Sequence, residues 1–412
     1  MAQEVSQGNR AIHYIPELDG LRGIAIILVV LFHTRLWPEA YEAAPSLYTI
    51  LGLGSTGVDL FFVLSGFLIT SILLSTRDAS PRSYFWSFYA RRTLRIFPLY
   101  FLAVGVFFFI QLPYLQNHGD FLQVSRSEQI WYWTYMVNWH DAAGHIISGM
   151  AHFWSLSVEE QFYLVWPAVV FFCEVRYFPA MCIGVGAFSV ILRIILGTGH
   201  FMPPVLLPEF VHRTTITRLD TLAVGALVAA LVRNPDWTNV MRRQINLIAP
   251  AAFGAFLLLW LAREQNISFV GNPGIALDFL GAAIAYGCVV FICVTEKGSS
   301  KLLCRIARWR PLQSIGRYSY AMYLVHVAVG RFLFERMRFI ILPHLGPVHG
   351  VQRVPSIAIA LLFSAITVGS TYLVAFASWH LFEQRFLRLK KYFPYLVSLP
   401  VSSELKTEDS AV

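Results

Sequence analysis

Several side chains with chemistry of their own interrupt this sequence where an apolar run should exclude them. Residues 18–37, LDGLRGIAIILVVLFHTRLW, form an apolar run long enough to cross a bilayer as one helix, yet they contain Arg22 and His33. Ionisable groups inside such a run cost free energy, so each calls for a partner or a function. The eleven positions between them correspond to about 16 Å of rise and nearly three full turns, which puts both on almost one face. An imidazole titrating near neutral pH is a candidate general base. A guanidinium is a permanent cation suited to anions. The bland alternatives are an Arg22 that snorkels to the headgroups and a His33 that is a hydrogen-bonded interior residue.

Other runs carry further groups. HFWSLSVEEQFYLVWP places Glu159 and Glu160 about two turns into an apolar segment. Adjacent helical positions point about 100° apart, so only one of the two faces the same cavity as His33. The other alternative is a structural ion pair. FYARRTLRIFPLY brings Arg91, Arg92 and Arg95 to helical spacing, which suits either phosphate recognition or a topology anchor. In GVDLFFVLSGFLIT, Asp59 reads first as a helix cap and second as a site group, and Gly57 and Gly66 permit close helix approach. Arg218 and Asp220 in TRLDTLAVGAL form ion pairs or line a substrate site. Tyr320, Tyr323 and His326 recur every three residues in IGRYSYAMYLVH, as a polar stripe or as aromatic packing, and Glu383 lies in HLFEQRF.

The elements that must position these groups are membrane helices. Of 412 residues, 56% are hydrophobic, 15% aromatic and only 14% charged, with a mean hydropathy of +0.57. Soluble chains carry roughly a quarter charged residues. The expected fold is therefore an all-α integral membrane protein of about ten transmembrane helices. They fall near residues 18–37, 57–75, 96–112, 153–173, 178–196, 219–233, 245–262, 274–294, 315–334 and 356–382. No internal repeat is visible, which weighs against inverted-repeat transporters. Lys and Arg concentrate after the second and eighth spans and in the C-terminal tail, which puts both termini in the cytoplasm. The net charge of +8 then orients helices and does not indicate nucleic acid as a partner. The long connection 113–152 contains IWYWTYMVNWH, which reads as an interfacial aromatic belt, or else as a sugar contact. Five scattered cysteines form no metal-ligand pattern and read as small buried residues. The sequon 266–268 is a weak glycosylation signal.

Taken together, these segments resemble the acyltransferase 3 family of integral-membrane acyltransferases, many of which O-acetylate carbohydrates. The resemblance rests on Arg22 to His33, VDLFFVLSGFLIT, the RxxR of Arg92 to Arg95, WSLSVEEQFYLVWP, RLDTLAVGAL, SYAMYLVH and FEQRF, in the expected order from residue 19 to 386. It implies a cytoplasmic segment 1–17, an acyltransferase 3-like transmembrane domain 18–386 and a cytoplasmic tail 387–412, without the SGNH hydrolase-like domain of some members. It also implies acyl-CoA, in the first instance acetyl-CoA, as donor, and a hydroxyl on a carbohydrate, glycolipid or glycosylated small molecule as acceptor. The expected location is a bacterial plasma (inner) membrane, multi-pass. By the same resemblance His33 is the essential histidine, Glu159 the family glutamate, and Arg22, Arg92 and Arg95 contacts to coenzyme A. Asp59, Glu160, Arg218, Asp220, Tyr323 and His326 remain possible substrate-site residues.

Acyl transfer from a thioester to a hydroxyl needs a base, an oxyanion stabiliser and a held donor. His33 suits the base, and Glu159 could orient its imidazole as a carboxylate does in a triad. No GxSxG elbow occurs, which favours direct attack by the acceptor over an acyl-serine. No metal is expected. The geometry that follows has His33 and Glu159 facing one polar cavity, with Arg22 and the arginine cluster at its cytoplasmic mouth. The competing class is a proton-coupled membrane transporter using His33 and Glu159 as a relay.

Overall fold

The computed structural model describes residues 14–35, 45–113, 126–147, 149–199, 201–264, 271–296, 301–340 and 353–395. Among these the chain is helical throughout and contains no strand. Ten long helices dominate: α1 Pro16–Thr34, α2 Gly57–Thr76, α3 Pro81–Val106, α4 Phe153–Phe172 and α5 Phe178–Thr198, then α6 Thr215–Arg233, α7 Pro235–Glu264, α8 Gly271–Thr295, α9 Arg310–Ile340 and α10 Arg353–Ser378. Each overlaps one of the ten expected stretches, although α3 begins fifteen residues and α7 ten residues earlier than expected. The sequon 266–268 and the end of the first predicted stretch lie outside the described residues.

Seven helical stretches among the described residues are long and apolar enough to cross a membrane, those built around α2, α3, α5, α6, α7, α8 and α10. The three that fall short are α1, α4 and α9. They carry Asp19, Arg22 and His33, then Glu159 and Glu160, then Arg317 and His326. Buried ionisable groups are not confined to these three: Asp59 on α2, Arg193 on α5, and Arg218 and Asp220 on α6 lie within stretches that are apolar enough.

Two glycine crossings set the register of the bundle. A Cβ at Gly23 on α1 would overlap the Leu312 carbonyl oxygen and crowd the Gly316 nitrogen on α9. A Cβ at Gly316 would in turn overlap the Asp19 carbonyl oxygen. Backbones meet here because no side chain intervenes, as small residues permit in membrane bundles. Gly66 on α2 meets the Leu222 carbonyl on α6, and Gly225 on α6 meets the Val63 carbonyl on α2. Gly57 serves a different crossing, against Ala25 of α1.

The connection before α4, read as an interfacial aromatic belt or a sugar contact, packs one of its faces into the protein and leaves another exposed. Tyr132, Val137, Asn138 and Asp141 are buried, whereas Ile130, Trp131 and Met136 are exposed. Gln161, two turns into α4, explains why this backbone can dip inward. Its side-chain amide donates to the Tyr135 carbonyl at 2.8 Å and to Asn138 Oδ1 at 2.9 Å, and it accepts from Trp139 Nε1 at 3.3 Å. Irregular backbone at membrane depth survives only where protein groups satisfy it. Tyr135 takes a left-handed φ of 55°, held by this bond and by a 4.0 Å stack on Tyr100. The five cysteines are free, four of them buried.

At the other end of the chain, Arg91 Nη1 donates to the carbonyls of Lys390 and Phe393 at 3.0 Å each, and Ser87 Oγ to that of Pro394. The tail expected from residue 387 thus begins as a segment packed on α3, and residues past 395 lie outside the described residues.

Gly316→Val should force α1 and α9 apart. Overpacking of this kind costs about 1–3 kcal/mol, so the variant should melt earlier in detergent, whereas Gly254→Val, in open space, should not. Equal melting temperatures for the two variants would show that the crossing is slack.

Candidate active site

Counting ten residues upward from Gly23 reaches His33, and ten upward from Gly316 reaches His326. The two helices run parallel, so equal steps give equal rise, about 15 Å, and the rings meet with centroids 4.6 Å apart. His152, immediately before α4, joins them at 4.8 Å from His326 and 6.3 Å from His33. His152 and His326 are buried, and His33 is half-exposed.

The hydrogen bonds fix which nitrogen carries the proton in neutral rings. His326 Nδ1 lies 2.7 Å from the Tyr323 carbonyl oxygen, which can only accept, so Nδ1 carries hydrogen. His326 Nε2 is then an acceptor, and it stands 3.2 Å from His33 Nδ1. His33 Nδ1–H therefore donates, shared between His326 Nε2 and the Val29 carbonyl at 2.9 Å. His33 Nε2 keeps its lone pair. Tautomers are assigned from the network in this way because hydrogens are not themselves located.

Glu159 is not part of this cluster. It sits seven residues beyond His152 on α4, about 10 Å further along the helix. It lines a cavity of ≈ 110 Å³ with Glu160, Arg22, Arg92, Arg95, Ser65, Tyr163, Ser155 and Tyr323. His33 does not line that cavity. The expectation of one shared cavity is corrected here, and the reason is Tyr323. Its hydroxyl donates to the His152 carbonyl at 3.0 Å and pairs with Ser155 Oγ at 2.5 Å, which makes a partition with the cavity on one side and the histidines on the other. The partner of His33 is His326, not a carboxylate.

Arg22, Arg92 and Arg95 also line a wider vestibule of ≈ 500 Å³ at the end where α1 begins, together with Arg91, Arg317 and Lys390. Arg22 is paired with Asp19 at 2.9 Å, and Arg91 holds the carbonyls described above. Arg92 and Arg95 form no ion pair among the described residues. Their guanidinium groups rest over aromatic rings, Arg92 over Tyr163 at 5.3 Å and Arg95 over Trp379 at 5.7 Å. Glu159 and Glu160 line the same cavity, but neither closes an ion pair with these two cations, which leaves both guanidinium groups facing a space shared by two cavities, an arrangement suited to an anion.

The remaining candidates lie elsewhere. Asp59 does not cap α2, whose N-cap is Thr56. Its carboxylate pairs with Arg218, seven residues above the Gly66–Gly225 crossing on each helix, so the same register argument applies. Arg218 also stacks on Phe279 at 3.9 Å. Asp220 pairs with Arg193 of α5 at 2.6 Å, both fully buried. Asp59 borders a third, polar cavity of ≈ 250 Å³ with Arg35, His212, Arg263, Glu264 and Asp278. Of the possible substrate-site residues, the structure brings Glu160 and Tyr323 to the arginine cavity and His326 to His33. Asp220 lines none of the three cavities.

Sequence reasoning passed over His152, Arg193, Gln161 and Asp278. Arg193 had a signal, a lone charge inside an apolar run. His152 had none, because it precedes the apolar run of α4 and borrows its significance from helices far away in sequence.

The comparisons with known proteins show the family of the chain. A family model described as an acyltransferase domain, acyltransferase 3, matches residues 15–376. The peptidoglycan O-acetyltransferase OatA of Listeria monocytogenes is 29% identical over 336 residues, covering 77% of this chain and 49% of that protein. The O-acetyltransferase OatA of Staphylococcus aureus is 28% identical over 331 residues, covering 77% and 50%. The putative peptidoglycan O-acetyltransferase YrhL of Bacillus subtilis is 28% identical over 337 residues, covering 77% and 48%. The chain spans about half the length of the curated relatives it matches. No solved structure matches it. These similarities lend a transport reading no support.

The Asp59–Arg218 pair generates its own test. Removing one partner of a buried pair strands the other, at roughly 3–5 kcal/mol. Arg218→Met should therefore lower the melting temperature in detergent steeply, and Asp59→Leu added to it should recover most of the loss. A double variant no more stable than either single one would show that the two residues do not act as a pair.

Proposed function

This chain belongs to the acyltransferase 3 family and is a multi-pass integral membrane protein, and on that premise we propose that it transfers an acetyl group from acetyl-CoA to a hydroxyl of a carbohydrate. The observation that carries the donor is the pair Arg92 and Arg95, which close no ion pair among the described residues and stand between a basic vestibule and a narrow cavity. A molecule with phosphates at one end and a long uncharged arm ending in a thioester fits that sequence of spaces. The relatives named above as peptidoglycan O-acetyltransferases support a glycan as acceptor.

In this reading α1, α4 and α9 also cross the membrane, giving ten spans with both termini and the vestibule in the cytoplasm. The phosphates lie against Arg92 and Arg95, and the pantetheine arm runs through the cavity, whose Glu159 can accept from its amide N–H groups. Arg22 and His33 mark a path of about 16 Å. At its far end Tyr323 must turn aside to admit the thioester.

The acceptor hydroxyl oxygen attacks the thioester carbon as its proton passes to His33 Nε2. The tetrahedral oxyanion collapses, the C–S bond breaks, and the thiolate leaves with the proton that His33 returns, giving coenzyme A and the ester. His326 is a positioning residue. It fixes the His33 tautomer and accepts the Nδ1–H bond that strengthens once His33 is an imidazolium, the part a carboxylate plays in a triad.

Purified protein in lipid nanodiscs, given labelled acetyl-CoA and a glycan oligomer, should release free thiol and move label to the glycan. His33→Ala should lower kcat by roughly 10² to 10⁴ and leave the melting temperature near that of the parent; near-normal turnover in a folded His33→Ala protein would exclude this mechanism.

Replacing Arg92 and Arg95 together by Gln should raise the KM for acetyl-CoA. Each charge-assisted contact is worth roughly 1.5–3 kcal/mol, and the remaining KM should respond less to added salt than in the parent. An unchanged KM for the donor would reduce the two arginines to topology anchors.

A further inference from the structure

The connection between α3 and α4 contains a second group of ligating side chains, remote from the arginines and unused by acyl transfer. We propose that Glu128, His140 and His145 form a zinc site that fastens this connection. Their ligand atoms all lie within 4.8 Å of one another. Zn²⁺ held at about 2.0–2.1 Å by each ligand spaces tetrahedral ligand atoms roughly 3.4 Å apart, so movements of about an ångström close the site. His145 is exposed, so it has room to make them.

The local fold brings the ligands together. His140 lies in the last turn of a short helix, Val137–Ala142, and His145 follows five residues later. Gly144 turns the chain between them with a φ of +92°, a left-handed conformation that suits glycine. The two imidazoles have centroids 5.0 Å apart and planes 28° apart, and the Trp131 ring lies 5.3 Å from that of His140. Glu128 reaches in from the opposite end of the connection, twelve residues earlier, a spacing no metal motif would flag.

A second observation points to a ligand. His140 is 7% exposed, and its Nδ1 is buried without a hydrogen-bond partner among the described residues. A buried ring nitrogen is normally satisfied, and a metal ion would satisfy it. Two imidazoles and a carboxylate favour Zn²⁺ over Ca²⁺ or Mg²⁺, which prefer all-oxygen shells, and the absence of a thiolate disfavours Cu(I). Three protein ligands leave a fourth position for water.

The ion would act on the site through the backbone. His140 is followed by buried Asp141, whose carboxylate accepts from Arg213 Nη1 at 3.2 Å. The same Nη1 donates to the Ala151 carbonyl at 3.1 Å, one residue before His152. Zinc therefore holds the segment on which the start of α4 is seated, a structural role.

The full chain, purified and stripped with EDTA, would be titrated with ZnCl₂ and, separately, with CoCl₂. The expected result is one tightly bound ion per chain, a rise in melting temperature, and the visible absorption of tetrahedral Co²⁺. His145→Ala, an exposed position, should weaken Zn²⁺ binding by at least roughly tenfold, and Glu128→Gln, which preserves shape, should weaken it too. No binding by the parent protein, or binding with no change in melting temperature, would overturn the proposal. So would zinc uptake that survives His145→Ala and disappears in His33→Ala, which would put the ion among His33, His152 and His326.

Discussion

The contact between Gly23 and Gly316 governs the site although neither residue has a side chain to offer. Two parallel helices in backbone contact cannot slide without a clash, so their registers are locked. Ten residues up each helix, the lock delivers His33 to His326. The Gly66–Gly225 crossing does the same for Asp59 and Arg218, seven residues along α2 and α6. In lipid no hydrophobic force drives helices together, and close packing of small residues carries more of the association. The polar contacts of this bundle are therefore set by glycines placed about two and three turns away.

That arrangement separates structural charges from charges that await a ligand. Arg193–Asp220 and Asp59–Arg218 are buried ion pairs in which each arginine has its carboxylate. Arg92 and Arg95 are half-buried, backed by aromatic faces and open to cavities. A cation over a ring is stabilised modestly, while its donors stay free to bond something else. Composition cannot distinguish the two kinds of arginine. Only the position of the carboxylates can.

The helices were legible in the sequence because apolar length is a local property, and so were Arg22, His33, Glu159, Arg92 and Arg95 as exceptions to it. Which exceptions meet was less legible. Glu159 reads as the natural partner of His33, since both lie in the expected membrane depth. Glu159 lies about two turns into its apolar segment, but the sequence does not give the level of α4 itself. His152, at its very start, already stands beside His33, which carries Glu159 about 10 Å past it. The aromatic connection was only partly legible, for a related reason. Trp and Tyr favour interfaces, but they also suit a buried segment when a residue such as Gln161 can satisfy its backbone. Gln161 gives no sign of this in the sequence, since its partners Tyr135, Asn138 and Trp139 are more than twenty residues away.

A histidine in place of a carboxylate beside His33 suits the surroundings. A carboxylate there would be a further buried charge, and before proton transfer the neutral His33 would offer it only one hydrogen bond. His326 is neutral and buried, and it still presents a lone pair to His33 Nδ1–H, because the Tyr323 carbonyl claims its other nitrogen. The cost of a buried ion then arises only while the reaction holds a proton on His33, and the compensating negative charge is at that moment on the tetrahedral oxyanion. Tyr323 links the two halves of the arrangement. Its carbonyl sets the His326 tautomer, and its hydroxyl closes the partition toward the arginine cavity. Movement of this one residue would open the path from donor to base while disturbing the base itself only through a backbone carbonyl, and that carbonyl belongs to a helix already locked at Gly316.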